Sequence, residues 1–156
     1  MRALSVTLPV NSPSDSSTLT QAQVYAGLQV KARDATPFVA PIASCEVLRE
    51  FPTGLVRRVQ FKGDPEYKTE QVDFYPPSLM EFTLHESPAY VTNLISSSPE
   101  GDLYLTFTFA TGPNGPLDES ETALETEKTK RRQVAGVIQH TLDVIREMVR
   151  SGEIAK

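Results

Sequence analysis

The segment DLYLTFTFAT, Asp102 to Thr111, followed by a Gly/Pro turn and one long helical stretch, decides the fold of this chain. Leu103, Leu105, Phe107 and Phe109 fall on one side of the pleat. Tyr104, Thr106 and Thr108 fall on the other, the period-two pattern of a strand with one dry and one wet face. The helical stretch runs from about Asp118 to Ser151, which at 1.5 Å per residue reaches roughly 50 Å. A half-buried antiparallel sheet ending in so long a helix is expected to curl around that helix and enclose space for a ligand.

Upstream, Ala3 to Val10 reads as a first strand with Leu4, Val6 and Leu8 facing in. After a polar loop, Thr20 and Gln23 form a capping box, and Leu19 with Val24 a hydrophobic staple; together they start a helix expected to run to Asp34. Thr36 and Pro37 restart a second, short turn of helix through Phe38 and Val39, which Pro41 ends. Strands are then expected near Cys45–Glu50, Leu55–Phe61, Tyr67–Phe74, Leu79–His85, Tyr90–Ser96 and Leu103–Ala110. Their breaks carry turn chemistry, such as Pro52-Thr53-Gly54 and Gly63-Asp64-Pro65, and sequential strands joined so tightly pair as antiparallel hairpins.

The last helix opens with Asp118 and Glu121 as a capping box, with glutamates early and Arg146 and Arg150 late, matching its dipole. Its apolar stripe is Val134, Ile138, Leu142, Ile145 and Val149. The first half lacks such a stripe and is expected to meet solvent or another chain, which leaves a homo-oligomer open. The fold expected is α+β: a seven-stranded curved antiparallel sheet wrapped around a long C-terminal helix, with two short helices after the first strand.

The bulk numbers fit one domain spanning residues 1–156: 39% hydrophobic and 22% charged residues, with a net charge of −5. That charge argues against a nucleic-acid partner, because phosphate binding needs concentrated positive charge. A lone cysteine, Cys45, excludes an internal disulfide and suits a reducing compartment. No apolar run approaches a bilayer span, and the alternation of Leu4, Val6 and Leu8 with polar residues is not a signal-peptide core. A cytoplasmic protein without a membrane span is expected.

That element order is the helix-grip arrangement, and the residues themselves resemble the START/birch-pollen-allergen superfamily, also called SRPBCC, and within it an AtaL-like branch found in fungi and bacteria. The carrying segments are LTQAQVYAGLQVKARDATPFVAPIASCEVL (Leu19 to Leu48), GLVRRVQFKG (Gly54 to Gly63), EQVDFYPP (Glu70 to Pro77), YVTNLI (Tyr90 to Ile95) and GDLYLTFTF (Gly101 to Phe109). The resemblance implies a deep apolar cavity between sheet and helix that holds hydrophobic small molecules. Members of the superfamily carry lipids, sterols, hormones and plant metabolites, and some act as aromatase/cyclases. Some relatives of this branch are associated with fungal secondary-metabolite pathways. No catalytic motif of the branch transfers residue by residue.

Strand parity nominates the polar residues of such a cavity. Arg57 shares a face with Leu55, Val59 and Phe61, and Glu70 shares one with Val72 and Phe74. A turn centred between Gly63 and Asp64 sets Arg57 opposite Glu70. A structural ion pair that fixes the hairpin register is one reading. The other is a working pair, with Arg57 anchoring a ligand oxygen and Glu70 orienting it or moving a proton. Asn93, between Val91 and Ile95, either bonds a ligand or satisfies backbone, and Tyr25 either reaches the cavity mouth or packs in the core. Leu103, Leu105, Phe107, Phe109, Met80, Phe82, Ile138, Leu142 and Ile145 are the candidate walls. His85 and His140 fall off the apolar faces, so neither a zinc site nor a His-based nucleophile is expected. Without a phosphate loop or dinucleotide fingerprint, no cofactor is expected either.

The function expected first is therefore binding of a bulky hydrophobic metabolite. A cofactor-free cyclase, isomerase or lyase with Glu70 and Arg57 as catalytic groups is the second. A protein-interaction module of the co-chaperone kind is the third.

Overall fold

The computed structural model describes residues 2–155. Its elements are β1 (Ala3–Pro9), α1 (Gln21–Arg33), β2 (Ile42–Phe51), β3 (Gly54–Phe61), β4 (Tyr67–Tyr75), β5 (Leu79–Leu84), β6 (Tyr90–Ser97), β7 (Leu103–Ala110) and α2 (Glu121–Ser151). The strands form one open, curved antiparallel sheet of seven in the order β1-β7-β6-β5-β4-β3-β2. The meander from β2 to β7 is expected of short connections, and β1 closes on β7, with Leu4 opposite Phe109 and Leu8 opposite Leu105.

Helix α1 starts where its sequence directs. Thr20 Oγ1 accepts from the Gln23 backbone N–H at 3.2 Å and Gln23 Oε1 accepts from the Thr20 N–H at 2.9 Å, while Leu19 and Val24 are both buried. The second short helix does not form. The Ala35 carbonyl accepts from the N–H groups of both Phe38 and Val39, a single turn, and the chain then turns at Val39 and Pro41 into β2. Pro41 has no N–H with which to continue, and one turn does not offset the cost of helix nucleation.

A second correction concerns the start of α2. Ser120 is its N-cap, accepting from the Ala123 N–H at 3.2 Å. Asp118 instead accepts from the Ser120 N–H at 2.9 Å, a local Asx bond that shapes the approach to the helix. From Glu121 to Gln133 nearly every side chain of α2 is exposed, and burial begins with Val134 and becomes complete at Ile138, Thr141, Leu142 and Ile145. Arg146 is buried too: it donates to the carbonyls of Val10 and Ser17 and pairs with Asp15, fastening the β1–α1 loop to α2.

Helices α1 and α2 approach closely because position 27 carries no side chain. A Cβ there would lie 2.3 Å from Ile145 Cγ1. Leu19, Leu28, Leu55, Met80, Leu105, Ile138, Leu142 and Ile145 are therefore packed into one solid core at that end of the sheet. Gly27→Ala is expected to push the helices apart and lower stability by about 1–3 kcal/mol, read as a lower urea midpoint with an unchanged m-value.

Candidate functional site

The packed core fills only part of the space between sheet and helices. Past the end of α1 a cavity of about 570 Å³ opens between β3–β7, the loop into β2 and the middle of α2. Its apolar walls are Phe82, Leu84, Val91, Phe107 and Phe109 from the sheet, Val39 and Ile42 from the loop and β2, and Val134 and Val137 from α2. Phe61 and Phe109 stand at its edge with more than a third of their surface exposed.

Of the walls expected from parity, the structure brings Phe82, Phe107 and Phe109 to this cavity. Leu105, Ile138, Leu142, Met80 and Ile145 lie instead in the solid core, because α1 packs into the space they were expected to face. Leu103 packs against that core from its edge. Tyr25 also belongs to the core, where its hydroxyl donates to the Leu79 carbonyl at 3.4 Å and burial raises its pKa.

Arg57 and Glu70 are directly opposed across β3 and β4. Arg57 Nη2 lies 2.7 Å and Nε 2.8 Å from the same carboxylate oxygen, Glu70 Oε2, and both residues line the cavity. The other Arg57 nitrogen, Nη1, donates to the Lys31 and Ala32 carbonyls, each at 3.0 Å. These belong to the last turn of α1, whose carbonyls have no partner within the helix. Arg57 is thus a clasp: it caps α1, pairs with Glu70 and ties the helix to the β3–β4 hairpin.

The same clasp positions a residue that strand parity could not nominate. Lys31 is buried, with its ammonium 4.5 Å from the Phe107 ring centroid and 5.5 Å from that of Phe82. Its Nζ donates to Asn93 Oδ1 at 2.8 Å, and among the described residues it has no ion-pair partner. Burial first, and the neighbouring Arg57 charge second, hold its pKa down to about 7, against a smaller opposing pull from Glu70. The sequence held the signal: Val24, Leu28 and Lys31 follow i, i+4, i+7 spacing, which puts the lysine on the buried face of α1.

Asn93 is 1% exposed and sits opposite Phe107 on one side and Met80 on the other. With Oδ1 committed to Lys31, its Nδ2 has no hydrogen-bond partner among the described residues. A buried amide N–H without a partner costs on the order of 1–3 kcal/mol. Along the cavity lining Arg57 is paired with Glu70 and Lys68 with Glu66, which leaves Lys31 as the basic group without a carboxylate partner among the described residues.

A family model described as acetylaranotin biosynthesis cluster protein L, AtaL, matches residues 4–152. The chain belongs to the AtaL family. A comparison with curated proteins finds no match. Among solved structures, Zhui aromatase/cyclase from Streptomyces sp. R1128 superposes with a TM-score of 0.63 at 21% identity, covering 97% of each chain. The di-domain aromatase/cyclase StfQ of the steffimycin pathway gives 0.63 at 13% identity over 97% of this chain and 51% of its own length. Ara h 8.0201 gives 0.58 at 15% identity over 93% of this chain and 97% of its own. These likenesses, at TM-scores of 0.58 to 0.63, show the helix-grip fold. No helix of the described residues is long and apolar enough to cross a membrane.

Proposed function

We propose that this AtaL-family protein binds a bulky, largely apolar metabolite in the cavity between β3–β7 and α2, with an oxygen of the ligand directed at Lys31 and Asn93. The observation that carries this reading is the unpartnered, buried Nδ2 of Asn93 beside the Lys31 amine in a largely apolar pocket. A carbonyl, phenolate or carboxylate oxygen would satisfy that N–H, and the neighbouring Lys31 amine would be a second donor to it. The volume of about 570 Å³ falls in the ~300–1,000 Å³ range of small-molecule sites. Membership of a family described by a biosynthetic cluster supports a natural-product ligand.

Fluorescence titration with 1-anilinonaphthalene-8-sulfonate, a fused-ring anion, tests the reading. Saturable binding is expected in the wild type. Val137→Trp, which fills the cavity from α2, should abolish it, and Asn93→Leu should weaken it by roughly one hydrogen bond, about tenfold. Binding that survives Val137→Trp unchanged would place the dye elsewhere and defeat the assignment.

A second reading is a cofactor-free cyclase, isomerase or lyase acting in the same cavity. What favours it is the Arg57–Glu70 pair on the cavity wall beside an amine whose pKa is held near neutrality. There Glu70 or Lys31 would move a proton while Arg57 and Asn93 steadied negative charge on the reacting oxygen. Glu70→Gln separates the readings, since an enzyme using that carboxylate loses turnover while a carrier loses at most affinity.

A further inference from the structure

We infer that Lys31 is an amine nucleophile, able to condense with a ketone of a carbonyl-bearing ligand to form an imine. This rests on the cavity being a ligand site and names the chemical class of what enters it. Three observations converge. Lys31 Nζ reaches the cavity from the buried end of α1, at 4.5 Å and 5.5 Å from the centroids of Phe107 and Phe82. Its one hydrogen bond among the described residues runs to Asn93 Oδ1, so the remaining valences of the nitrogen are uncommitted. And the same amide, on the cavity wall, has a buried Nδ2 without a partner among the described residues, which a carbonyl oxygen would satisfy while the amine meets the carbonyl carbon.

The condensation balances without a cofactor. The Nζ lone pair attacks the carbonyl carbon, the C=O π pair moves to oxygen, and a proton passes from nitrogen to that oxygen to give a carbinolamine. The C–O bond then breaks, the oxygen leaves as water with a second proton, and C=N forms. A lysine desolvated in an apolar pocket next to another cation is the usual way to keep the amine neutral for such a step. The groups facing Lys31 supply this setting: Arg57 and Glu70 from β3 and β4, Asn93 from β6, and only the phenyl rings of Phe82 and Phe107 from β5 and β7.

The probe is 1-phenyl-1,3-butanedione, an aromatic β-diketone whose condensation product with an amine, an enaminone, is stable enough to weigh. Intact-mass analysis of the full chain is expected to show one added probe less one water, mapped by peptide digestion to Lys31 among the six lysines of the sequence. Lys31→Met should remove the adduct, and Asn93→Leu should slow labelling at least tenfold while the protein stays folded. The labelling rate of the wild type should rise through about pH 7, where the amine loses its proton. Absence of an adduct, or labelling spread over the other lysines at equal rates, overturns the inference. Dye binding measured on the same sample tells the two failures apart. If 1-anilinonaphthalene-8-sulfonate binds without an adduct forming, the imine is wrong and the cavity stands; if neither occurs, both fall.

Discussion

Arg57→Met is expected to be the most damaging single substitution, lowering stability by about 3–5 kcal/mol and giving a clear drop in the urea midpoint. Three deficits follow at once. Glu70, with 12% of its side chain exposed, loses its only ion-pair partner among the described residues. The Lys31 and Ala32 carbonyls at the end of α1 lose their donor. And the tie between α1 and the β3–β4 hairpin, which keeps the cavity open beside a packed core, is gone. The double variant Arg57→Met/Glu70→Leu should recover a good part of the loss, because removing both charges spares the cost of a buried unpaired carboxylate. If the double variant is as unstable as the single one, the helix-capping bonds dominate over the ion pair.

Lys31→Met has the opposite sign. In the folded protein the lysine pKa is about 7 against 10.5 for the free side chain. The unfolded chain therefore binds more protons than the native one between those values, and native stability rises with pH across that window. Below about pH 7 the wild type carries the full cost of a buried ammonium, and replacing it with methionine is expected to stabilise by roughly 1–3 kcal/mol, net of the donor that Asn93 Oδ1 loses. The gain should shrink steadily from pH 7 and largely vanish by pH 10.5, where the amine is neutral in both states. Thermal melts of wild type and variant at pH 6 and pH 9 measure it. A gain that does not depend on pH would mean the benefit comes from packing and not from the charge.

Much of this was legible in the sequence, for definable reasons. Strand parity carries through a sheet with one buried face, so the opposition of Arg57 and Glu70 followed from the hydrophobic pattern and the Gly63-Asp64 turn alone. The capping box at Thr20 and the half-exposed α2 were equally local. What parity could not supply is depth. It put Leu105 on the same face as Phe107, and the helix stripe set Ile138 and Leu142 against that face, but only the position of α1 decides which of them face a cavity and which are sealed. That position depends on Gly27 meeting Ile145, a contact between residues 118 apart in the chain. Lys31 escaped for a related reason: a lysine at the end of a helix reads as a charge complementing the dipole, and only its i, i+4, i+7 relation to Val24 and Leu28 betrays that it points inward. In the proposed function the weight moves accordingly, from Arg57, whose donors are largely spent on Glu70 and the backbone, to Lys31 and Asn93.

The most direct test of the ligand site is a heteronuclear NMR titration of the isotopically labelled protein with 2-acetylnaphthalene, a fused-ring ketone small enough for the cavity. Shifts are expected to concentrate on the Asn93 side-chain amide and on Val91, Phe107, Val134 and Val137. The Asn93 NH2 should move downfield as its free N–H meets the ketone oxygen. Saturating shifts confined to the outer sheet face or to the exposed first half of α2, with Asn93 unmoved, would contradict a ligand site in this cavity.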